Sequence, residues 1–145
     1  MTATVFVDTN VLIYALDPAE PKKHAAAQAW RLELWKSHRG RLSIQVMEEF
    51  YVKVVQKWPK SRDQARAEVQ DLLAWHPVPM DYPLLALSWK LQDRFQLSFW
   101  DSLIVAAAKI AGCRYLLTED LQPGQSLDGV YVTNPFLTAP STILS

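Results

Sequence analysis

Residues that would indicate a secreted, zinc-binding or membrane-spanning protein are scarce in this sequence. A single cysteine, Cys113, cannot form an internal disulfide and favours a reducing compartment, the cytoplasm. The three histidines have no zinc-like spacing with one another or with Cys113, which argues against zinc. The longest apolar run, residues 103–108, is far shorter than the roughly 20 residues of a membrane span, and the N-terminus does not resemble a signal peptide. We therefore expect a cytoplasmic protein without a membrane partner.

Hydrophobic patterning predicts strands and helices that alternate along the chain. Runs typical of short buried strands occupy residues 4–8, 40–45, 114–118 and 129–133. Helical spacing or helix-end signals mark residues 10–16, 21–40, 46–58, 61–75, 81–95 and 98–112. Residues 77–80 would suit a short edge strand, where proline is tolerated. This order predicts an α/β fold, a three-layer α/β/α sandwich with a mainly parallel sheet, in one domain over residues 1–137 followed by a tail at 138–145.

Local signals predict where several helices begin and end. Gly40 is a natural C-terminal stop for the helix that begins at Pro21. Ser61 and Gln64 have capping-box spacing, which predicts the start of the helix over 61–75. Asp81 is predicted to cap the next helix.

Acidic residues fall where predicted strands end and the following helices begin. Asp8 follows the first strand, and Asp120 follows a later one. Asp101 lies in the first turn of its helix, and the neighbouring Glu48 and Glu49 lie near the start of theirs. Ligands of open parallel sheets bind beyond the carboxyl ends of the strands, the edge that these helix N-termini also face. Four separate segments are therefore expected to bring acids to one crevice.

Each acid also has a structural interpretation. Asp8 is a candidate helix cap, and Asp101 has capping-box spacing with Ser98. The acid pair before Leu-Gln-Pro-Gly suits an ordinary polar turn, and the glutamate pair suits a solvated helix face. The helical angle to the apolar stripe makes Glu49 more open than Glu48, but geometry alone leaves that choice open.

Convergence of four carboxylates would need compensating positive charge. Two carboxylates about 4 Å apart repel by about 4 kcal/mol at an effective dielectric near 20. Oxygen ligands without histidine or cysteine favour a hard cation, Mg²⁺ or Mn²⁺. Such an ion lowers the pKa of a bound water and stabilises charge on phosphate oxygens, which suits phosphodiester hydrolysis.

Basic residues are concentrated in one part of the chain although the formal net charge is zero. Of the 15 lysines and arginines, 11 lie between Lys22 and Arg66. This distribution is compatible with a basic flank that attracts a polyanion, and equally with solvated helix faces.

Four segments together resemble the PIN domain family, specifically the VapC-type toxins of bacterial toxin–antitoxin pairs. They are "VDTNVLIYALD", "LSIQVMEEFY", "LSFWDSLIVAAAKIAGCRYLLTEDLQPGQ" and "VTNPF". The resemblance extends from about Val5 to Phe136 and keeps the order and spacing of the family. It implies a Mg²⁺- or Mn²⁺-dependent endoribonuclease with catalytic, metal-binding acids at Asp8, Glu49, Asp101 and Asp120.

The resemblance also implies supporting residues and partners. The supporting positions are Thr9, Asn10, Thr118 and Glu119, the last as a candidate outer ligand. Candidates for contact with the RNA backbone are Lys22, Lys23, Arg39, Arg41, Lys53 and Lys57. Toxins of this kind are held inactive by a cognate antitoxin and commonly form homodimers. Four large apolar residues lie on one early helix and cannot all face one stripe: Trp30, Leu32, Leu34 and Trp35. An exposed remainder would suit a partner's apolar segment, and core or partly covered side chains would explain them equally well.

The same residues bear on three other functions. A haloacid-dehalogenase-type phosphatase needs a second aspartate two residues after Asp8, where this chain has Asn10. A DNA-directed metal nuclease shares the acidic centre but usually carries long insertions. A PIN-like module that binds RNA or protein without cleavage is the non-enzymatic alternative.

Overall fold

The computed structural model describes residues 3–144. Five strands form one sheet over this range: β1 (Val5–Val7), β2 (Gly40–Arg41), β3 (Tyr115–Leu117), β4 (Ser126–Leu127) and β5 (Val130–Thr133). The spatial order is β2-β1-β3-β5-β4, with β4 antiparallel to β5 and all other pairs parallel. All three residues of β1 are buried, as expected for a strand covered on both faces.

Seven α-helices accompany the sheet within the described range: α1 (Thr9–Leu16), α2 (Pro21–Ser37), α3 (Ile44–Lys57), α4 (Arg62–Asp71), α5 (Tyr82–Phe95), α6 (Phe99–Ile110) and α7 (Pro140–Leu144). Helix α1 packs against α2 and α3, α3 packs against α4, and α5 packs against α6. Large core side chains such as Trp30, Phe50 and Leu116 are fully buried between these layers. The predicted three-layer α/β/α sandwich with a mainly parallel sheet is confirmed. None of these helices is long and apolar enough to cross a bilayer.

Gly40 does not end α2, so that prediction was wrong. The helix ends at Ser37, and His38 takes the left-handed conformation (φ 58°) that glycine usually supplies. Gly40 lies instead in β2, where an added Cβ would come within 2.5 Å of the Trp75 ring. Close packing against this indole, rather than backbone conformation, explains a glycine here.

The predicted helix over residues 61–75 is divided into two parts, and the Ser61 side chain does not cap it as predicted. A 3₁₀ turn at Leu72–Trp75 follows α4, and the Ser61 hydroxyl donates to the carbonyl of Trp58 (2.6 Å) instead of capping. Residues 77–80 contribute a single parallel bridge, between Val78 and Ser43, rather than a strand.

The C-terminal part contains two elements that the hydrophobic pattern did not reveal. A two-residue turn with both φ angles positive, Asp128 (56°) and Gly129 (91°), joins β4 to β5, as a type I′ hairpin requires. Helix α7 occupies most of the predicted tail and contacts α2. The Trp30 indole donates to the carbonyls of Pro135 and Thr138 (3.1 and 3.0 Å), which ties this region to α2.

Cys113 lies immediately before β3 and is 5% exposed. Burial raises the pKa of its thiol to about 11, against smaller opposing effects of Thr4 and the Arg41 guanidinium. The thiol is therefore protonated at neutral pH.

Candidate active site

Asp8 is held at the carboxyl end of β1 by backbone pairing and by two side-chain hydrogen bonds. Its amide N–H donates to the carbonyl of Leu117 at the end of β3 (3.1 Å). Its Oδ1 accepts from the amide of Thr9 (2.7 Å), so Asp8 caps α1, and its Oδ2 accepts from the Thr118 hydroxyl (2.9 Å). Asp8 is therefore both a helix cap and an acid at the ligand-binding edge of the sheet.

Thr118 connects Asp8 to Asp120. Its side chain is buried, and its hydroxyl oxygen also accepts from the backbone amide of Asp120 (3.1 Å). One hydroxyl thus fixes the turn after β3 beside the end of β1. The turn leaves Asp120 exposed, whereas Asp8 is partly buried.

Helix α3 brings Glu49, and not Glu48, to this edge. Glu49 Oε2 accepts from the Thr9 hydroxyl (2.9 Å), and Oε1 accepts from the Gln45 side-chain amide (3.0 Å). Glu48 is exposed and lines a different cavity. The structure therefore agrees with the helical-angle argument on which glutamate lies near Asp8.

Burial and neighbouring carboxylates raise the pKa of Asp8. Burial is the largest cause, and it raises the pKa from 3.8 to about 6 in combination with the charges of Asp120 and Glu49. Hydrogen bonds from Thr118 and Thr9 act in the opposite direction. Asp8 thus lies in a partly buried position where a further positive charge would be stabilising.

Asp101 is close enough to affect Asp120 electrostatically. Although Asp120 is exposed, partial desolvation of its carboxylate raises its pKa, the carboxylates of Glu119 and Asp101 raise it further, and Lys53 lowers it. The Asp101 amide donates to the Ser98 hydroxyl (3.1 Å), so the predicted cap of α6 is confirmed. All four predicted acids therefore lie near the same edge.

Gln45 is a site residue that the sequence reasoning missed. It is 6% exposed, it donates to Glu49, and its Oε1 has no hydrogen-bond partner among residues 3–144. Its position four residues before Glu49 on α3 was the available signal, because side chains at that spacing are neighbours on a helix.

Three of the six basic candidates are already paired with other side chains. Lys57 forms an ion pair with Asp17, and Lys53 donates to the Asn10 side chain (3.0 Å). Lys23 forms an ion pair with Glu119 (2.9 Å). Of these, Lys53 is close enough to Asp120 to lower its pKa, which places it beside the acids.

Two other candidates lie at the opposite edge of the sheet. The Arg39 carbonyl accepts from the amide of Val5 at the start of β1. Arg41 donates to the carbonyls of His38 and Gly40, and its charge affects Cys113 before β3. Neither arginine is placed to contact a substrate bound at the acids, and Lys22 is an exposed residue near the start of α2.

The acids fit the chemistry of a hard divalent cation but do not form a closed cage. The candidate donors are carboxylate oxygens, and none of the ion pairs found over residues 3–144 involves the four acids. In the same range, no group of three or more His, Cys, Asp or Glu side chains is placed to hold a metal by itself. Mg²⁺ commonly binds through one or two carboxylates and completes its shell with water and phosphate oxygens.

The fold and the acidic edge define a class of protein: a parallel α/β domain with carboxylates beyond its strand ends. The family model of the PIN domain matches residues 5–123, which is most of the chain. The chain therefore belongs to the PIN domain family. A search of curated proteins found no match.

Solved structures with the same fold include chains of toxin–antitoxin proteins. A chain of a toxin–antitoxin complex from Klebsiella pneumoniae is 20% identical, with a TM-score of 0.66 over 91% of this chain and 98% of that one. A chain of VapBC2 from Rickettsia felis, bound to a promoter DNA fragment, is 17% identical, with a TM-score of 0.62 and coverages of 90% and 98%. VapC20 from Mycobacterium tuberculosis, described as a Sarcin-Ricin loop cleaving toxin, is 17% identical, with a TM-score of 0.59 and coverages of 81% and 92%.

Proposed function

We propose that this protein is a metal-dependent endoribonuclease and the toxin of a toxin–antitoxin pair. The observation that carries the proposal is the environment of Asp8. This carboxylate is partly buried at the carboxyl edge of β1, is close to the charges of Asp120 and Glu49, and has no ion-pair partner within residues 3–144. Such an arrangement is unfavourable without a cation, and a divalent cation compensates it.

The proposed metal site consists of Asp8, Asp101 and Asp120, with Glu49 completing it or orienting the attacking water. A bound Mg²⁺ or Mn²⁺ would lower the pKa of that water and stabilise charge on the phosphate oxygens. Thr118 orients Asp8 and fixes the turn that carries Asp120. Because these contacts exist before any ligand binds, Asp8 and the turn that carries Asp120 are held in place in advance. The four acids would still have to draw closer around an ion, since no three of them are placed to hold one by themselves in residues 3–144.

Glu49 is held by two donors that leave it little freedom. The Thr9 hydroxyl and the Gln45 amide each occupy one carboxylate oxygen, and the remaining lone pairs can accept a hydrogen bond from a water. We infer that Glu49 orients the water for in-line attack on phosphorus. If the P–O3′ bond breaks and the 3′ oxygen leaves, the products have 5′-phosphate and 3′-hydroxyl ends.

RNA is the proposed substrate, and Lys53 is its best-placed basic contact. The choice of RNA is supported by VapC20, the Sarcin-Ricin loop cleaving toxin, which has the same fold as this chain. Lys53 lies beside Asp120 and is exposed, so it can neutralise a substrate phosphate next to the acids.

A cognate antitoxin is the proposed protein partner, and a homodimer is the proposed assembly. Two of the compared structures contain toxin–antitoxin proteins with this fold. On α2 the apolar residues divide as expected: Trp30 and Leu34 are buried, while Leu32 and Trp35 are 52% and 43% exposed. The exposed pair offers an apolar surface for a partner segment.

The Glu49→Gln variant tests the proposed reaction. We expect the rate of Mg²⁺-dependent cleavage of total cellular RNA to fall about 100-fold, the range for losing a group that positions or deprotonates water. Glu48→Gln is the matched control and should change the rate less than twofold, because Glu48 lies outside the acidic edge. Cleavage rates are measured with purified protein in Mg²⁺, in EDTA and after Mn²⁺ addition.

Other results of this experiment would identify the alternatives. RNA binding without cleavage in either metal would indicate a binding module, and preferential cleavage of DNA would indicate a DNA-directed nuclease. A large loss in Glu48→Gln with normal cleavage by Glu49→Gln would contradict the site assignment.

A further inference from the structure

Lys23 connects α2 to the turn that carries Asp120. Its Nζ donates to Glu119 Oε2 at 2.9 Å, across 96 positions of sequence. The side chains of Lys23 and Glu119 are only 34% and 20% exposed. This ion pair is therefore partly shielded from water, which strengthens it relative to a surface pair.

Two aromatic rings fix the position of the lysine. Its Nζ lies 5.0 Å from the centre of the Tyr14 ring and 5.1 Å from that of Phe136, within the range of cation–π interaction. The two rings contact each other edge to face, with centroids 5.2 Å apart and an interplanar angle of 82°. Helix α1, helix α2 and the segment after β5 thus all contribute to holding one ammonium group.

The geometry separates the roles of two adjacent acids. Glu119 forms the ion pair with Lys23, whereas the Asp120 backbone amide is bound by Thr118, the residue that also contacts Asp8. The Asp120 carboxylate is near the charges of Glu119, Asp101 and Lys53. The turn is fixed on its other side by the Thr118 hydroxyl, which contacts both Asp8 and the Asp120 amide. The ion pair therefore holds the Glu119 carboxylate on the Lys23 side of the turn.

We propose that Lys23 is a positioning residue that holds Glu119 outside the acidic centre, so that Asp120 alone of this pair is presented to the metal. The inference rests on the proposed metal-dependent nuclease and extends it, because it removes Glu119 from the metal ligands and Lys23 from the RNA contacts. Without the ammonium group, the Glu119 carboxylate would be free to approach the metal and to take the coordination position that the attacking water needs, which would slow the chemical step without weakening substrate binding.

The Lys23→Met variant should tighten metal binding while slowing cleavage. Removal of a positive charge near the acids and release of a carboxylate both favour a cation, so the Mg²⁺ concentration that gives half of the maximal Tm increase should fall about threefold. The kcat for RNA at saturating Mg²⁺ should fall about tenfold, as for loss of an outer-shell contact, with KM nearly unchanged. If Lys23 only stabilised the fold, its replacement would instead weaken both metal binding and cleavage.

Companion variants test the role of Glu119 directly. Glu119→Gln in the Lys23→Met background should restore kcat to within about threefold of wild type, because the competing carboxylate is gone. Lys23→Arg should keep most of the activity because it retains the charge. Lys36→Met, an exposed lysine at the other end of α2, is the matched control and should match wild type.

Each contrary result has a distinct meaning. Weaker metal binding in Lys23→Met, or no recovery when Glu119→Gln is added, would overturn the inference. So would a raised KM at unchanged kcat, which would make Lys23 an RNA contact. If Lys23→Met does not fold, Glu119→Gln alone decides: a loss beyond tenfold overturns the inference, and a loss within threefold supports it. A wild-type protein with neither a Mg²⁺-dependent Tm increase nor cleavage would instead overturn the proposed function.

Discussion

Replacement of Asp8 by asparagine is expected to lower RNA cleavage about 1000-fold while making the metal-free protein more stable. The loss follows from removing about 4 kcal/mol of transition-state stabilisation by the metal centre. The change is nearly isosteric, and the asparagine oxygen can still accept from the Thr9 amide. Cleavage of total cellular RNA in Mg²⁺ measures the first effect, and thermal unfolding in EDTA measures the second.

The stability gain has a defined pH dependence. The pKa of Asp8 is about 6 in the folded protein against 3.8 ordinarily, so the ionised carboxylate destabilises the fold at any pH above about 6. The penalty declines as pH falls through 6 and is absent well below 3.8. At pH 7.5 the raised pKa corresponds to about 3 kcal/mol, most of which is offset because the asparagine amide can no longer accept the hydrogen bond from the Thr118 hydroxyl. We therefore expect a net gain of about 1 kcal/mol, or about 3 °C in Tm, that narrows toward pH 4.

An exposed acid provides the control for Asp8. Asp93→Asn, on the solvent side of α5, should change neither cleavage nor Tm appreciably. Wild-type cleavage by Asp8→Asn would remove Asp8 from the catalytic site. An unchanged or lower Tm of Asp8→Asn in EDTA at pH 7.5 would show that burial and neighbouring charges do not make the Asp8 carboxylate destabilising.

Gly40→Val is expected to destabilise the fold by about 3 kcal/mol, the upper part of the usual range for overpacking. The first added carbon would lie 2.5 to 2.7 Å from three atoms of the Trp75 ring, which is 2% exposed and itself packs near Trp35. A ring buried in this way cannot move without displacing its neighbours. Chemical denaturation gives the change in unfolding free energy.

A double-mutant cycle distinguishes this clash from an effect on the strand itself. Trp75→Leu makes space, so the double variant should be more stable than the sum of the single changes by about 1 kcal/mol or more. Strict additivity would assign the loss to the backbone of β2. Ala74→Val is the reference variant, because Ala74 precedes Trp75 in sequence but is exposed. Gly124→Ala is unsuitable as a reference, because the positive φ of Gly124 (81°) would add strain of its own.

The fold was predictable because its signals are local and repeated. Strands β1 and β3 are short apolar runs, and the acids that follow them lie close to those runs in sequence. The rule for parallel sheets then brings these acids together without any knowledge of distances. The helical angle favoured Glu49 over Glu48 without deciding between them, because a helix relates angle to sequence position only approximately.

Long-range pairing was not predictable by the same reasoning. Lys23 and Glu119 are far apart in sequence, and nothing in either neighbourhood distinguishes that lysine from Lys22. The bridging role of Thr118 likewise depends on how closely β1 and β3 approach each other.

Some predicted helix ends were wrong for a different reason. At the end of α2 an exposed histidine, His38, takes the left-handed conformation that local preferences would give to glycine, and its amide donates to the last carbonyls of the helix. The glycine nearby, Gly40, is needed instead for close packing against the Trp75 indole. The Asp-Gly hairpin turn before β5, by contrast, was visible in the sequence as a known signal for type I′ turns.

The buried thiol of Cys113 has a practical consequence for handling this protein. A sulfur that is hidden and protonated reacts slowly with maleimides, disulfides and peroxide, because the thiolate is the reactive species. Folded molecules should therefore resist oxidative cross-linking in storage. Labelling would proceed only as fast as the region before β3 opens, so alkylation kinetics followed by mass spectrometry would time that opening.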